Sequence, residues 1–153
     1  MTRARLRPLA LALLLVLGFS SASARAGEGD EVGIVATVAQ GSDPGKNTDD
    51  PEVDAQLRKY KRILKGFLCG KYAFVGKDQA KAKVGQTVTL KAGPYTLDVT
   101  LAEKDEHSAS VNVVVKEGEA EIGKGGLKLK GGPSVIQLKE PKAPLIVLVE
   151  RQE

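Results

Sequence analysis

Apolar and polar residues alternate along the middle of the chain, from Val84 to Val115. Successive side chains of a strand point to opposite faces, so an alternation of period two predicts strands with one buried face. Turn-forming residues at 92–94 and 103–108 divide this stretch into three strands that form a meander. Its apolar positions are Val88, Leu90, Tyr95, Leu97, Val99, Leu101, Val111, Val113 and Val115.

Further strands are predicted on both sides of the meander. The run at 145–149 is apolar throughout, which is typical of a central strand buried on both faces. Residues 40–50 and 76–83 are polar and predict loops, and Lys124-Gly125-Gly126 predicts a turn between two short strands. The additional predicted strands are 32–39, 71–75, 120–122, 127–129, 134–138 and 145–149.

One amphipathic helix is predicted at 51–67. Asp49 or Asp50 can cap it, and Pro51 suits its first position. An apolar stripe follows at spacings of three and four residues, which places it on one side of a helix. The stripe consists of Val53, Leu57, Tyr60, Leu64 and Phe67. We expect it to pack on the sheet, because an exposed sheet face needs a cover.

Together these elements predict a mainly β fold. Short strands separated by turn signals indicate an antiparallel β-sandwich, Ig-like or Greek-key, of about seven or eight strands with one helix packed on it. The predicted domain joins the strand 32–39 and the acidic loop, within 27–50, to the helix and strands of 51–153.

The first 26 residues are predicted to be a signal peptide. Arg3, Arg5 and Arg7 precede an apolar run at 9–19 that is short for a membrane span, and A-x-A cleavage sites end at Ala24 and Ala26. Cleavage after Ala26 would give a periplasmic or extracellular protein. The alternative is an uncleaved membrane anchor.

Removal of this segment changes the charge balance. The full chain has 23 basic and 19 acidic residues, but four arginines lie in the signal peptide, so 19 of each remain. Nucleic-acid binding is therefore not expected, because it needs a surplus of cations. The remaining charge is uneven, with an acidic stretch at 27–54 and a basic one at 55–91. The two stretches either face each other or are solvated, and the alternative is a basic patch for an anionic envelope component.

Cys69 is the only cysteine. An exported chain with one cysteine forms no internal disulfide, so its stability must come from the hydrophobic core. The apolar neighbours Phe67 and Leu68 predict a buried, unreactive thiol.

The order of elements resembles a family of small exported bacterial β-domains with no known activity. The shared features are the strand IVATVA, an Asp/Asn-rich loop and the Asp-Pro helix start of DPEVDAQLRKYKRIL. The strand entry Val84-Gly85-Gln86, the strand PYTLDVTL and a late Gly-Gly turn follow. The resemblance implies a fold and export, and it carries no chemistry.

The sequence predicts no catalytic or metal constellation and no cofactor. His107 is the only histidine, and its neighbours in one predicted turn do not provide the geometry of a Ser/His/Asp relay. Asp43, Asp49 and Asp50 offer oxygen ligands to Ca²⁺, but the EF-hand spacing is absent.

The leading hypothesis is a non-enzymatic exported domain that binds or scaffolds an envelope protein or polymer. A carboxylate-dependent hydrolase is one alternative, and membrane-surface binding through the basic helix is another. The sequence does not predict the oligomeric state. The candidate binding residues are Thr96, Asp98, Thr100 and Asn112 on the strands, and Arg58, Lys61 and Arg62 on the helix.

Overall fold

This computed structural model describes residues 31–138 and 144–152 of the chain. They contain nine strands and one short helical segment. The predicted signal peptide and its cleavage site lie outside the described residues. The strands are β1 (Val32–Pro44), β2 (Glu52–Val53), β3 (Cys69–Ala82), β4 (Thr87–Ala92), β5 (Tyr95–Lys104), β6 (Ala109–Glu117), β7 (Ala120–Leu129), β8 (Ser134–Leu138) and β9 (Leu145–Gln152).

The strands form two sheets. Sheet A has five strands in the order β2-β3-β1-β9-β8, and sheet B has four in the order β4-β5-β6-β7. Neighbouring strands are antiparallel, except that β2 runs parallel to β3. The prediction of a mainly β sandwich with one helical segment is confirmed.

The alternating pattern of the meander fills the space between the sheets. Leu97, Val99 and Leu101 of β5 are each 0% exposed, and the inward residues of β6 are equally buried. They pack against the inward residues of β1 and β9 to form the sandwich core. The prediction that these strands have one buried face is confirmed.

The apolar run of β9 is buried on both faces, as predicted. Leu145, Val147 and Val149 face the sandwich core. Ile146 and Leu148 face the other side of sheet A, where the helical segment packs. This second group, the helix-side cluster, also contains Ala39, Leu57, Tyr60, Leu64, Cys69 and Tyr72.

The predicted start of the helix at Pro51 is wrong. The helical segment begins at Ala55 and consists of a 3-10 turn (Ala55–Tyr60), one α-turn (Lys61–Leu64) and a second 3-10 turn (Lys65–Phe67). Glu52 and Val53 instead pair with β3, so hydrogen bonding at the sheet edge replaces the first predicted helical turn. The residue before the segment is Asp54, and neither Asp49 nor Asp50 caps it.

The predicted loop at 76–83 is also wrong, because β3 continues to Ala82. A bulge explains why apolar and polar residues do not alternate regularly along this strand. Val38 pairs with Gly76 and Ala39 with Phe74, so Val75 is an extra residue on β3. An extra residue reverses the alternation of the strand. Likewise, β1 continues past the predicted end at Ala39 to Pro44.

The two short strands predicted at 120–122 and 127–129 are one strand, β7. The glycines between them lie within the strand rather than in a turn. A Cβ atom on Gly123 would collide with the Leu138 side chain, and one on Gly125 would come within 3.5 Å of Ile136. Gly123 therefore lets β8 of sheet A approach β7 of sheet B and close that side of the sandwich, whereas a Cβ atom on Gly125 would make only ordinary van der Waals contact.

Candidate functional site

The predicted binding residues of the meander lie on the outer face of sheet B. Thr96, Asp98 and Thr100 alternate with buried residues along β5, and Asn112 is the partner of Thr100 on β6. The first three are half-buried by their neighbours on the sheet, and Asn112 is exposed. Among residues 31–138 and 144–152, the two apolar clusters lie between the sheets and on the helix side of sheet A, and neither lies on this face.

Hydrogen bonds between strands hold this face in one arrangement. The Thr87 and Thr100 hydroxyls lie 2.6 Å apart across β4 and β5. The Thr89 hydroxyl donates to one oxygen of Asp98 at 2.9 Å, and Lys116 contacts the other at 3.0 Å. Bonds from Lys116 and Thr89 hold the pKa of Asp98 below its usual value. Asp98 is therefore a fixed anion that joins β4, β5 and β6.

The predicted basic residues of the helical segment lie on the opposite side of the molecule. The segment packs on the face of sheet A that points away from sheet B. Arg58 and Arg62 are exposed, whereas Lys61 forms an ion pair of 2.6 Å with Asp50. The structure therefore does not bring the two groups of candidate residues into one site.

Glu150 is a half-buried carboxylate with two side-chain partners, and the sequence did not indicate it. One of its oxygens accepts hydrogen bonds from Lys59 at 2.8 Å and from the Tyr60 hydroxyl at 2.7 Å. Burial raises the pKa of Glu150, but the bonds from Lys59 and Tyr60 lower it more, so the net shift is downwards. This cluster attaches the helical segment to β9.

A cleft of about 1500 Å³ begins beside Glu150 and runs to the turns at 105–108 and 130–132. Its lining is mainly charged and includes Lys77, Lys128, Lys130, Arg151, Asp105 and Glu150. Arg151 is held in place because it donates to the carbonyls of Asp105 at 3.2 Å and Ser108 at 3.1 Å. These residues come from strands far apart in sequence, so no local pattern could have predicted the cleft.

Two acids of the cleft, Asp105 and Glu150, do not have the raised pKa values that the hydrolase hypothesis predicted. That hypothesis requires carboxyls with raised pKa values that converge in a pocket. The pKa of Glu150 is lowered, as described above. Bonds from the Ser108 hydroxyl and the backbone of His107 and Ser108 also lower the pKa of Asp105. Asp105 thus stabilises the turn that contains His107, the exposed histidine.

The candidate calcium ligands do not converge. Asp50 is in the ion pair with Lys61, while Asp43 and Asn47 adopt left-handed backbone conformations in the same loop. In the described part of the chain, no group of three or more His, Cys, Asp or Glu side chains is placed to hold a metal ion.

Cys69 is buried and free, and a chain with a single cysteine forms no internal disulfide. Burial raises the pKa of its thiol. Its backbone N–H donates to the Tyr72 hydroxyl at 3.2 Å, and that hydroxyl donates to the Leu64 carbonyl at 2.6 Å. Burial raises the pKa of Tyr72 to about 12, so the phenol remains protonated at neutral pH.

Comparison with known proteins adds no assignment. No protein-family model, curated protein or solved structure matches the chain. The resemblance to a family of exported β-domains therefore stays a prediction. In the described residues, no helix is long and apolar enough to span a bilayer.

Proposed function

We propose that the protein is an exported, non-enzymatic β-domain that binds or scaffolds another component of the bacterial envelope. In this proposal the partner, a protein or a polymer, contacts the outer face of sheet B around Thr96, Asp98, Thr100 and Asn112. The observation that carries the proposal is the fixed polar arrangement on this face. Export is inferred from the signal-peptide pattern of residues 1–26.

The arrangement favours binding because its polar groups are already oriented. Thr87, Thr89 and Lys116 hold Thr100 and Asp98 in place across three strands. A partner that binds such a surface loses less side-chain entropy than one that must order it. In the described part of the chain, the helical segment covers the outer face of sheet A, and neither apolar cluster lies on the outer face of sheet B.

Site-specific photo-crosslinking in the native envelope tests the proposal. One variant carries a photoreactive residue at Asn112, on the outer face of sheet B. The matched control carries it at Gln79, an exposed residue that lines the cleft on the other sheet. We expect one defined adduct from the Asn112 variant and none from the Gln79 variant. An adduct from the Gln79 variant alone would move the binding site to the cleft.

A second candidate function is contact with a membrane surface, which the basic helix originally suggested. The apolar stripe of that helix is not available to lipid, because Leu57, Tyr60 and Leu64 are at most 2% exposed in the helix-side cluster. Arg58 and Arg62 remain exposed, but cations alone bind a membrane only weakly. This function therefore has less support than binding through the outer face of sheet B, where hydrogen bonds already orient the polar groups.

A further inference from the structure

Arg151 is a half-buried arginine in the lining of the cleft, and no carboxylate pairs with it in the described residues. It takes part in none of the ion pairs of residues 31–138 and 144–152. Its Nη1 group donates instead to the backbone carbonyls of Asp105 and Ser108, which are neutral. Partly buried charges are usually paired with an opposite charge, so this guanidinium is an unusual group.

The turn at 105–108 orients Arg151 without using all of its donors. A guanidinium has five N–H donors in one plane. The two bonds from Nη1 leave Nε and Nη2 with no partner among the described residues. A role in holding the turn therefore accounts for only part of the side chain. The remaining donors are held in a fixed plane, so a ligand that binds them loses little side-chain entropy.

Two lysines lie at the same end of the cleft as Arg151. Leu129 pairs with Ala109, which places Lys128 and Lys130 beside the turn at 105–108. Both lysines are exposed and line the cleft. Neither ammonium group is in an ion pair of the described residues. Lys128 nevertheless lowers the pKa of Asp105, so part of its charge is already compensated.

The two acids at this end of the cleft leave a positive balance. Both oxygens of Asp105 accept hydrogen bonds from Ser108 and from the backbone of His107. Glu106 lies 3.9 Å from His107, and its side chain is 88% exposed. The three cations outnumber these two acids. The oxygens of Asp105 are thus bound within the protein, whereas donors of the three cations remain.

We propose that Arg151, Lys128 and Lys130 bind a phosphate group at this end of the cleft. The fork of the guanidinium donates to two phosphate oxygens, and the ammonium groups supply charge to the others. A carboxylate suits the site less, because one guanidinium already satisfies its two oxygens. Gly131 and Gly132 also line the cleft, and nothing lies within 4 Å of the position of a Cβ atom on either, so a ligand can reach their backbone.

This site is separate from the partner surface proposed for sheet B and from the crosslinking position at Gln79. Val35 pairs with both Gln79 and Glu150, so these three side chains share one face of sheet A. Arg151 follows Glu150 in the strand, and its side chain therefore lies on the opposite face.

The cleft has room for more than one phosphate group. Its volume of about 1500 Å³ is larger than the roughly 300–1,000 Å³ of most small-molecule sites. The phosphate group therefore belongs either to a small molecule that occupies this end alone or to a polymer that continues along the cleft.

NMR spectroscopy of the purified protein at constant ionic strength tests the proposal. Inorganic phosphate and a linear polyphosphate are the probes, each replacing chloride. We expect saturable shifts of the side-chain Nε–H signal of Arg151 and of the Gly131 and Gly132 amides. Arg58 and Arg62 are exposed arginines outside the cleft, so their side-chain signals are internal controls and should not shift. Equal shifts of the three arginines, or no saturable shift with either probe, would overturn the proposal.

The two probes also identify the source of the phosphate group. An affinity for polyphosphate about tenfold or more above that for inorganic phosphate, per phosphate group, would assign the site to a polymer. Equal affinities per phosphate group would assign it to a small molecule. Both results support the site.

Lys130→Gln separates binding from folding, because the Lys130 side chain is exposed and has no partner among the described residues. It should weaken phosphate binding about threefold and leave the urea midpoint unchanged. Arg151→Gln should weaken binding about tenfold or more, and Arg151→Lys should restore only part of it, because lysine keeps the charge and lacks the fork.

Lys124→Gln is the matched control. Lys124 is an exposed lysine of the same strand, β7, and lies outside the cleft. Its substitution removes the same charge and should leave the affinity for phosphate unchanged. Equal losses of affinity in the Lys124→Gln and Lys130→Gln variants would show that only the net charge of the protein attracts the anion, and the proposal would be wrong.

Discussion

Glu150 shows how one side chain can attach an element to the sheet beneath it. Its carboxylate receives hydrogen bonds from Lys59 and Tyr60, two consecutive residues of the helical segment. Tyr60 is 2% exposed, so its hydroxyl has little access to water and is satisfied within the protein, with Glu150 as one partner. The bond from Lys59 contributes less, because the Lys59 side chain is 57% exposed and water screens it.

We expect Glu150→Gln to lower the free energy of unfolding by about 1 kcal/mol at pH 7. The pKa of Glu150 in the folded protein lies below its ordinary value of 4.5. Its stabilisation is therefore present above pH 4.5 and is lost as the pH falls through the folded-state pKa. Urea unfolding at pH 7 and at lower pH should show the difference between the two proteins narrowing below pH 4.5. A difference that stays constant with pH would contradict this role.

A substitution at Val99 tests which face of β5 points into the sandwich core. The Val99 side chain is 0% exposed in that core. Val99→Asp should lower the free energy of unfolding by roughly 3–5 kcal/mol, because it buries a polar group without a partner. Thr100→Asp is the control, since the neighbouring position faces the outside of sheet B. Urea denaturation of the two variants measures the contrast, and a Val99→Asp variant of normal stability would show that the register is wrong.

The sequence was informative about residues whose environment depends on their neighbours in the chain. Alternation alone placed Leu97, Val99 and Leu101 in the core, because a strand side chain faces the side opposite to that of its neighbour. It was uninformative about Glu150, whose partner Lys59 is 91 residues away. The exposure of the Leu68 side chain was also missed, because its neighbours Phe67 and Cys69 indicated a buried apolar run.

At the scale of elements, the errors arose where a partner strand determines the structure. Glu52 and Val53 carry good signals for a helix start, but pairing with β3 places them in a strand. The glycines of β7 carry good signals for a turn, but Gly123 faces Leu138 of another strand. Neither effect can be read from local sequence, since each depends on a residue brought close only by the fold.

A side chain added at Gly76 or Gly123 would meet atoms of the opposite sheet, and its cost depends on whether those atoms can move. A Cβ atom on Gly76 would collide with the backbone of Ala92 and Gly93, at the turn between β4 and β5. Gly76→Ala should therefore lower the free energy of unfolding by about 2–3 kcal/mol. Gly123→Ala should cost less, because its contact is with the flexible Leu138 side chain.

Gly132→Ala is the control for these two variants, because nothing lies within 4 Å of the position that its Cβ atom would occupy. Its stability should change by less than about 0.5 kcal/mol. Thermal or urea unfolding of the three variants gives the ranking. Equal effects at Gly76 and Gly132 would show that the two sheets are farther apart at this edge than described.

For the molecule as a whole, sheet A connects two apolar clusters. Its β1 and β9 strands present one face to the sandwich core and the other to the helix-side cluster. Alternate residues of β9 take part in both, with Val147 in the first and Ile146 in the second. The helical segment therefore packs on strands that the sandwich core needs, and we infer that the two clusters unfold together.

Leu57→Ala tests this coupling, because Leu57 is fully buried and belongs to the helix-side cluster rather than to the sandwich core. Truncation of a buried leucine should lower the free energy of unfolding by about 2–5 kcal/mol. Two of the three tyrosines, Tyr60 and Tyr72, lie in the helix-side cluster, so near-UV circular dichroism reports mainly on it. Far-UV circular dichroism reports on both sheets. The two signals should shift to lower urea together, because β1 and β9 cannot lose one face and keep the other packed. An early near-UV transition with an unchanged far-UV transition would instead mean that the helical segment detaches alone.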